Sequence, residues 1–366
     1  MTTIADRADL IGSLPDETRE LLLAHFAARK QPAYRAGQIL RWIYERLAVS
    51  FDEMSDLPRA EREALSEAFS LTVPEEARVS RSTDGTAKHL WRLKDGELVE
   101  SVLIPSRSRL TLCISSQAGC AMACTFCATG WMGYNRQLST GEIVAQYRQA
   151  RRWAEQQGMG PITNIVYMGM GEPLMNQAAV FPSLEVLNQG YGVGARRITV
   201  STVGVVPGIE RLAGMPEQYR LALSIHAPNH ELREKLIPLE KKYPLPRLVE
   251  ALRRFDEAGG KRITFEYVMI AGVNDDLALT DELADVVGEF NAFVNLIPFN
   301  PIPGTDWQPS SPERVKQFAA RLERRGIAVH TRTPRGRDIA AACGQLKAEE
   351  TVGRLHRIGK GPAVGS

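Results

Sequence analysis

Six apolar segments alternate with helical patterns between residues 110 and 299, and this alternation limits the chain to a small set of folds. Strands that alternate with helices predict a parallel sheet covered by helices. A complete eightfold barrel requires two further strand–helix units, so the sequence favours an α/β fold built as a partial (β/α)6 barrel. In either arrangement, the active site lies at the carboxyl ends of the strands. The predicted strands span residues 110–115, 163–169, 196–202, 219–226, 262–270 and 292–299.

The region before these segments has a different character. Residues 15–70 carry apolar residues at helical spacing. Residues 88–105 hold two alternating, branched segments joined by the turn sequence KDGE, which is typical of a β-hairpin. We therefore predict a small N-terminal helical accessory domain and a β extension before the barrel. The predicted boundaries are 1–75 for the helical domain, 76–108 for the β extension or linker, 109–345 for the barrel with a catalytic C-terminal loop, and 346–366 for a C-terminal helix and tail.

Composition and charge exclude several classes of protein. With 44% hydrophobic and 24% charged residues among 366, the chain can bury a sizeable core. The formal net charge of +2 is too small to indicate a polyanionic partner by itself. The N-terminus lacks the apolar core of a signal peptide, and no apolar run approaches the length of a membrane span. We therefore expect a cytoplasmic protein with no membrane partner, in which cysteines serve metals or redox chemistry more often than disulfide frameworks.

Three of the five cysteines lie within eight positions, directly after the first predicted strand. Cys120, Cys124 and Cys127 have the spacing C-x3-C-x2-C in the stretch QAGCAMACTFCATG. A structural zinc site usually has four ligands in paired knuckles, and no second knuckle follows in the sequence. Iron–sulfur clusters are held by thiolates, ordinarily four for a 4Fe-4S centre, so three ligands leave one iron open to a substrate or cofactor. The pattern therefore favours a reactive 4Fe-4S cluster over a purely electron-carrying one.

Small and polar residues end several of the predicted strands. In MGMGEPLMN, after the second strand, Gly171 allows a close backbone approach and Glu172 offers a carboxylate to a cation. Taken singly, such a segment is more often a turn, and a polar strand-end residue is more often a cap. Recurrence at successive strand ends indicates one shared ligand instead. The further candidates are Ser201, Ser224, Ile225, His226 and Asn300.

The cysteine motif, with Phe126 before its third cysteine, resembles the signature of the radical S-adenosylmethionine (SAM) superfamily. Further blocks extend the resemblance over most of the chain to the RlmN-type dual-specificity RNA methyltransferases, which methylate adenine C2 in 23S rRNA and in tRNA. The resemblance implies a 4Fe-4S cluster held by the three cysteines and SAM bound at the open iron. It places Gly171 and Glu172 at SAM, and the other strand-end candidates are then expected to share this ligand. The blocks are TLCISSQAGCAMACTFCATG, VYMGMGEPLMN, ITVSTVGVVP, LSIHAPN, LIPFNP and GRDIAAACGQL.

Methylation at adenine C2 gives the two remaining cysteines a purpose. C2 is an electron-poor carbon that does not attack the methyl group of SAM, whereas a carbon radical adds to it. One workable route methylates a cysteine thiolate, turns that methyl group into a radical and joins it to C2 as a thioether. A base then removes the C2 proton, and a second thiol releases the product by forming a disulfide. By resemblance, Cys343 carries the methyl group, Cys113 resolves the adduct and Glu100 is the base.

These last assignments depend on the resemblance. Taken alone, Cys113 is more often a small buried apolar residue, and Glu100 is more often a solvated charge on a strand face. RNA contacts have an equally weak signal of their own, because a local excess of basic residues fits phosphate contacts or a solvated face. The target adenine must be unpaired or flipped to expose C2. The basic tract comprises Arg324, Arg325, Arg332, Arg335, Arg337, Lys347, Arg354, Arg357 and Lys360.

Two alternatives stay open at this stage. A C8-adenine methyltransferase acting on 23S rRNA uses the same cysteines and differs only in how the base is posed. A non-enzymatic RNA-binding protein uses the three motif cysteines for a structural metal. The RNA methyltransferase interpretation further implies 23S rRNA and tRNA as substrates, an external electron donor of the flavodoxin or ferredoxin type, and a monomer.

Overall fold

The computed structural model describes residues 7–259 and 262–346 of the chain. Its strands are β1 (Ala8–Asp9), β2 (Phe69–Ser70), β3 (Glu75–Arg81), β4 (Ala87–Arg92), β5 (Leu98–Ser106), β6 (Arg109–Cys113), β7 (Gln117–Gly119), β8 (Tyr134–Gln137), β9 (Asn164–Tyr167), β10 (Ile198–Thr202), β11 (Arg220–Ser224), β12 (Ile263–Met269), β13 (Ala292–Pro298) and β14 (Ala328–Thr331). Its α-helices are α1 (Pro15–Ala28), α2 (Tyr34–Tyr44), α3 (Arg59–Ala68), α4 (Ala128–Trp131), α5 (Thr140–Gln156), α6 (Gln177–Glu185), α7 (Val206–Ala213), α8 (His230–Leu236), α9 (Leu245–Glu257), α10 (Leu279–Val287) and α11 (Pro312–Arg324). Within these two ranges, no helix is both long and apolar enough to cross a membrane.

A ten-stranded sheet forms the centre of the molecule, in the order β14-β13-β12-β11-β10-β9-β6-β5-β4-β3. Strands β6 and β9 to β14 run parallel to one another, with at least one helix between each consecutive pair from β6 to β14. The six predicted strands are confirmed as β6, β9, β10, β11, β12 and β13, and the predicted α/β partial barrel is confirmed with them. The structure adds β14, which the sequence did not predict. This strand is four residues long and largely exposed, so it lacks the apolar run that marks the others.

The predicted hairpin is confirmed as β4 and β5, and it extends the parallel sheet. Gly96 in its KDGE turn has a φ of +88°, a left-handed conformation that glycine adopts without strain. Strand β5 pairs antiparallel with β6, and β3 pairs antiparallel with β4 on the outer side. The hairpin therefore belongs to the same sheet as the barrel strands, and residues on β4 and β5 lie near the barrel's site. The predicted domain boundaries, including the one at residue 108, stay predictions.

The N-terminal region is helical, as predicted, and it packs on helix α5 of the barrel. Arg148 of α5 is buried and donates from Nη2 to the carbonyl of Ala48 at 2.7 Å. Arg152, one turn further, donates from Nη1 to the carbonyl of Leu47 at 2.9 Å. These hydrogen bonds hold the segment after α2 against the barrel.

Helix α5 forms where the sequence predicts it. The Ser139 hydroxyl accepts from the backbone N–H of Glu142 at 3.2 Å, and Glu142 Oε2 accepts from the backbone N–H of Ser139 at 2.9 Å. This reciprocal pair is the predicted capping box, which satisfies two N–H groups that an open helix end leaves without partners. The predicted apolar stripe is buried in the main hydrophobic core and comprises Ile143, Tyr147, Ala150 and Ala154.

Candidate functional site

One cleft at the carboxyl ends of the parallel strands collects most of the predicted site residues. Its empty volume, open solvent at its mouth included, is about 970 Å³. Ile225 does not line it, because its side chain is fully buried in the core beneath. Cys113 and Glu100 lie outside the lining as well. The predicted residues that line the cleft are Cys120, Cys124, Cys127, Gly171, Glu172, Ser201, Ser224, His226, Asn300 and Cys343.

The three-cysteine motif occupies the loop between β7 and α4. No disulfide joins its thiols, and burial raises the pKa of each of them, to about 12 for Cys120. Proximity adds to this effect, because Cys127 raises the pKa of both Cys120 and Cys124, and Cys120 raises the pKa of Cys124. Neighbouring thiols thus disfavour one another's anionic form. A bound cationic centre that coordinates the thiolates removes this repulsion, so the three thiols are well placed to share one.

The donor set of this loop is consistent with a 4Fe-4S cluster. Among residues 7–259 and 262–346, no three or more His, Cys, Asp or Glu side chains are arranged so that they could hold a metal ion. A four-iron cluster binds each thiolate through a different iron atom, so its cysteines need not converge on one point. Three neighbouring thiols on one wall of an open cleft therefore fit three of the four irons.

Packing behind the motif fixes its shape. The rings of Phe126 and His226 meet edge to face, with centroids 4.5 Å apart. Burial and the nearby Arg233 guanidinium lower the pKa of His226 to about 3, so its ring is neutral. His226 Nδ1 accepts from the backbone N–H of Val268 at 3.0 Å. His226 thus supports the aromatic residue of the cysteine motif while its edge lines the cleft.

Gly171 and Glu172 line the same cleft, where the Glu172 carboxylate contributes to the raised pKa of Cys120 and Cys124. Gly171 has a φ of +98°, and a Cβ atom there would lie 2.5 Å from Cβ of Gln117, so only glycine fits. Burial raises the pKa of Glu172 to about 7, although three hydrogen bonds oppose this rise. Two of them come from the backbone N–H groups of Val203, at 2.9 Å, and Leu174, at 3.1 Å. The carboxyl group thus lines the cleft with each oxygen fixed by a backbone donor, and its pKa lies near neutrality.

The C-terminal loop, defined here as residues 332–346, brings Cys343 to the cleft. The backbone N–H of Ala128, in the helix after the cysteine motif, donates to the carbonyl of Gly344 at 2.8 Å. The Thr129 hydroxyl donates to the carbonyl of Leu346 at 2.6 Å. Arg332 Nη1 lies 3.9 Å from Cys343 Sγ. Cys343 is exposed on its loop, directly beside the motif, as a group that exchanges with bound molecules must be.

The turn between β3 and β4 anchors the same loop from the other side. Asp338 accepts from the Ser82 hydroxyl at 2.6 Å and from the backbone N–H of Thr83 at 3.2 Å. Asp84 Oδ2 accepts from the backbone N–H of Gly336 at 3.0 Å. The turn between β3 and β4 thus helps to position the loop that carries Cys343.

Cys113 and Glu100 lie behind the cleft on neighbouring strands. Cys113 pairs with Val102 across β6 and β5, and Glu100 is two residues from Val102, so both side chains project from the same face of the sheet. Burial, and next the nearby Cys343 sulfur, raise the pKa of the Cys113 thiol to about 12. Glu100 is fully buried, and its Oε1 lies 3.0 Å from Lys88 Nζ. The two cysteines of the expected release step are thus close enough to interact electrostatically.

Comparison with known proteins decides the family. The N-terminal region of the ribosomal RNA large subunit methyltransferases matches residues 13–71, and the radical SAM superfamily domain matches residues 114–284. A probable dual-specificity RNA methyltransferase RlmN from Gemmatimonas aurantiaca is 49% identical over 95% of both chains. The chain belongs to the RlmN family. A dual-specificity RNA methyltransferase RlmN from Anaeromyxobacter sp. is 46% identical over 94% of this chain and 92% of its own.

A solved structure agrees with this RlmN assignment. The crystal structure of a radical SAM methyltransferase from Sphaerobacter thermophilus superimposes with a TM-score of 0.88 at 45% identity, over 93% of this chain and 99% of that one. The prediction of a radical SAM RNA methyltransferase is thereby confirmed, and 4Fe-4S and SAM are its cofactors as a member of this superfamily. The alternative of a non-enzymatic RNA-binding protein is not supported. The assignment of individual residues to cluster, SAM and catalysis stays a prediction.

Sequence reasoning missed two charged residues of this RlmN site. Glu266, on β12, lines the cleft, and burial raises the pKa of its carboxyl group. Its Oε1 accepts from Asn295 at 2.9 Å, and its Oε2 lies 4.0 Å from Arg332 Nη1. The sequence signal that could have identified Glu266 is that it is the single charged residue in an otherwise largely apolar strand. Arg332 was counted only as part of the basic tract.

Four of the five arginines of the basic tract that the structure describes have partners within the protein. Arg325 pairs with Asp281 and Asp285, and Arg337 donates to Asn300 at 2.9 Å. Arg332 and Arg335 also have carboxylate neighbours within the protein. These contacts favour structural roles for the tract over phosphate contacts. Four further members of the tract lie outside the described residues: Lys347, Arg354, Arg357 and Lys360. The predicted C-terminal helix and tail lie outside them as well, from residue 347 onward.

Proposed function

We propose that this RlmN family member methylates C2 of an adenine in 23S rRNA and in tRNA. The position of Cys343 carries the proposal. Its sulfur lies in the cleft of the three-cysteine motif and interacts electrostatically with Cys113 behind that cleft. A methyl carrier must reach the cofactors, the target adenine and a resolving thiol from one place. The names of the relatives, dual-specificity RNA methyltransferases, support RNA of two kinds as the substrate.

The cluster and SAM are assigned to two different sets of residues in the cleft. Cys120, Cys124 and Cys127 hold the cluster through three of its irons. Glu172 receives the ammonium group of SAM, with the backbone at Gly171 close beside it. The other predicted SAM contacts that line the cleft are Ser201, Ser224, His226 and Asn300, whereas the buried side chain of Ile225 offers SAM no contact. When bound, the cluster and SAM supply a methyl group and a carbon-centred radical.

The residues of this chain then divide the work between carbon–carbon bond formation and release. Cys343 accepts the methyl group on its sulfur and holds it at the adenine, so that the methylene carbon bonds to C2. Arg332 and Asn300 hold Cys343 in place, one at its side chain and one at its backbone. Glu100 takes the C2 proton, and the unpaired electron leaves to an acceptor of the iron–sulfur class.

Release requires the second thiol. Cys113, as a thiolate, attacks the Cys343 sulfur and forms a disulfide, while the electron pair of the broken C–S bond stays on the methylene carbon. That carbon takes a proton and becomes the methyl group of the product. Because the pKa of Cys113 is raised to about 12, this thiol is protonated in the resting enzyme and must lose its proton first.

Nucleoside mass spectrometry tests the proposal. The anaerobically reconstituted enzyme, given SAM, a reductant and either RNA, should produce 2-methyladenosine in both 23S rRNA and tRNA. Formation of 8-methyladenosine instead would establish the C8 alternative, and methylation of neither RNA would contradict the proposal. An external flavodoxin or ferredoxin-like electron donor, a monomeric state and a cytoplasmic location belong to the same proposal.

A further inference from the structure

Lys88 and Glu100 form an ion pair that is almost completely removed from solvent. Their side chains are 3% and 0% exposed, and Lys88 Nζ lies 3.0 Å from Glu100 Oε1. Withdrawing two charges from water has a large desolvation cost. A protein with apolar residues in place of a buried ion pair is often equally stable or more stable. Stability of the fold is therefore a weak reason for this pair, and we consider a role in the reaction.

Strand register places the pair beside the resolving thiol. Glu100 is directly opposite Leu90 across β4 and β5, and Lys88 is two residues from Leu90 on the same face. Cys113 lies diagonally from Glu100 across β5 and β6 on this face as well. Glu100 is thus on the strand between the one that carries Lys88 and the one that carries Cys113, on the face that all three share.

Lys88 has a second contact, and it leads to the C-terminal loop. Its Nζ donates to the carbonyl of Ala340 at 3.1 Å. Ala340 has a φ of +49°, a left-handed conformation that is uncommon for a residue other than glycine, so the loop backbone is held at this point. Three residues further along is Cys343. One ammonium group therefore joins the predicted base to the loop of the predicted methyl carrier.

We infer that Lys88 is a positioning residue for the proton-removal step. Its ammonium group holds the Glu100 carboxylate at a fixed position relative to the C-terminal loop. The inference rests on the proposed function. In this step, a Glu100 oxygen forms a bond to the C2 proton, and the electron pair of the C–H bond stays in the adenine ring. A cation beside a buried carboxyl group favours its charged form, and only that form accepts a proton.

The reaction contains its own internal control for this role. Methyl transfer to Cys343 precedes proton removal and needs no base at C2. A residue that acts only through Glu100 therefore leaves methylation of Cys343 intact and blocks the later step, whereas a residue that merely stabilises the fold lowers both.

The test uses full-length holoenzyme purified from cells as wild type, Lys88→Met, Lys88→Arg, Glu100→Gln and the Lys88→Met/Glu100→Gln double variant. Three quantities are measured in each: the methyl mass increment on the Cys343 peptide, ribonuclease-sensitive protein–RNA adduct, and methyladenosine. Lys88→Met should keep the increment, accumulate adduct and lose methyladenosine formation on the order of 10²-fold, the usual contribution of a general base. Lys88→Arg should recover part of that loss, and the double variant should match Glu100→Gln alone.

Asp338→Asn is the matched control, because it loosens the same loop at Ser82 and Thr83 without touching the ion pair. It should accumulate no adduct. Full methyladenosine formation in Lys88→Met, loss of the Cys343 increment in that variant, or equal adduct in Asp338→Asn would each overturn the inference. If Lys88→Met does not fold, Lys88→Gln, which removes the charge but keeps a hydrogen-bond donor, decides by the same criteria. A wild-type enzyme without the Cys343 increment would instead refute the proposed function itself.

Discussion

Asn300, which follows β13, donates from Nδ2 to the main-chain carbonyl of Cys343 at 3.1 Å. Its Oδ1 accepts from Arg337 Nε at 2.9 Å, so a single side-chain amide binds the C-terminal loop at two points. A residue at the carboxyl end of a barrel strand thus fixes the backbone of the predicted methyl carrier.

Replacing Asn300 with Ala should release this part of the loop. We expect methylation of Cys343 and turnover to fall by about tenfold or more, since small displacements of reacting groups have large kinetic effects. The loss of stability should be only about 1–2 kcal/mol. Asn188→Ala is a matched control, because Asn188 donates to the carbonyl of Val193 at 2.9 Å, away from the cleft. Equal activity in the two variants would contradict the role of Asn300.

Replacing any one of Cys120, Cys124 and Cys127 with Ala should remove the cluster, because a 4Fe-4S centre with two protein ligands is not retained. The measurement is iron content and visible absorbance after anaerobic reconstitution, together with SAM cleavage. Cys113→Ala is the control and should load iron as the wild type does. Full iron loading in a motif variant would show that the ligand set is wrong.

Binding of SAM should depend on pH through Glu172. Burial raises the pKa of this carboxyl group to about 7 in the protein without SAM, so it is neutral below that pH and charged above it. An ammonium group binds the charged form, so the Kd for SAM should be about tenfold higher near pH 6 than near pH 8. In Glu172→Gln the Kd should be higher overall and flat over this range. A wild-type Kd that falls toward acid pH would exclude this contact.

The sequence predicts the barrel strands well because each is an apolar run bounded by turn residues. Strand β14 was missed because it is short and exposed at the edge of the sheet. The cleft was also predictable, since parallel strands bring their carboxyl ends together, and Gly171, Ser201 and Asn300 all mark such ends.

Contacts that depend on register and loop docking could not be predicted in the same way. The position of Glu100 between Lys88 and Cys113 follows from the alignment of three strands, and a shift of one residue would reverse every side chain. Arg332 reaches Cys343 and Glu266 only because the C-terminal loop returns across the cleft. No local pattern in the sequence encodes these distances.

Cys343 should carry a methyl group in the enzyme as purified. Mass spectrometry of the wild-type peptide that contains Cys343 should show the methyl increment, and Cys343→Ala should lose RNA methylation while keeping its iron, because this thiol is not a cluster ligand. Methylated RNA produced by Cys343→Ala would contradict its role as carrier.

The central claim is that RNA becomes covalently attached to Cys343 and is released by Cys113. Its most direct measurement is denaturing electrophoresis of Cys113→Ala expressed in cells, with and without ribonuclease. The variant should fold and bind its cluster, form the carbon–carbon bond and fail to discharge it. We therefore predict a ribonuclease-sensitive band of slower mobility, linked through Cys343 and absent from wild type and from the Cys113→Ala/Cys343→Ala double variant. A folded, iron-loaded and inactive Cys113→Ala protein without attached nucleotide would contradict the account.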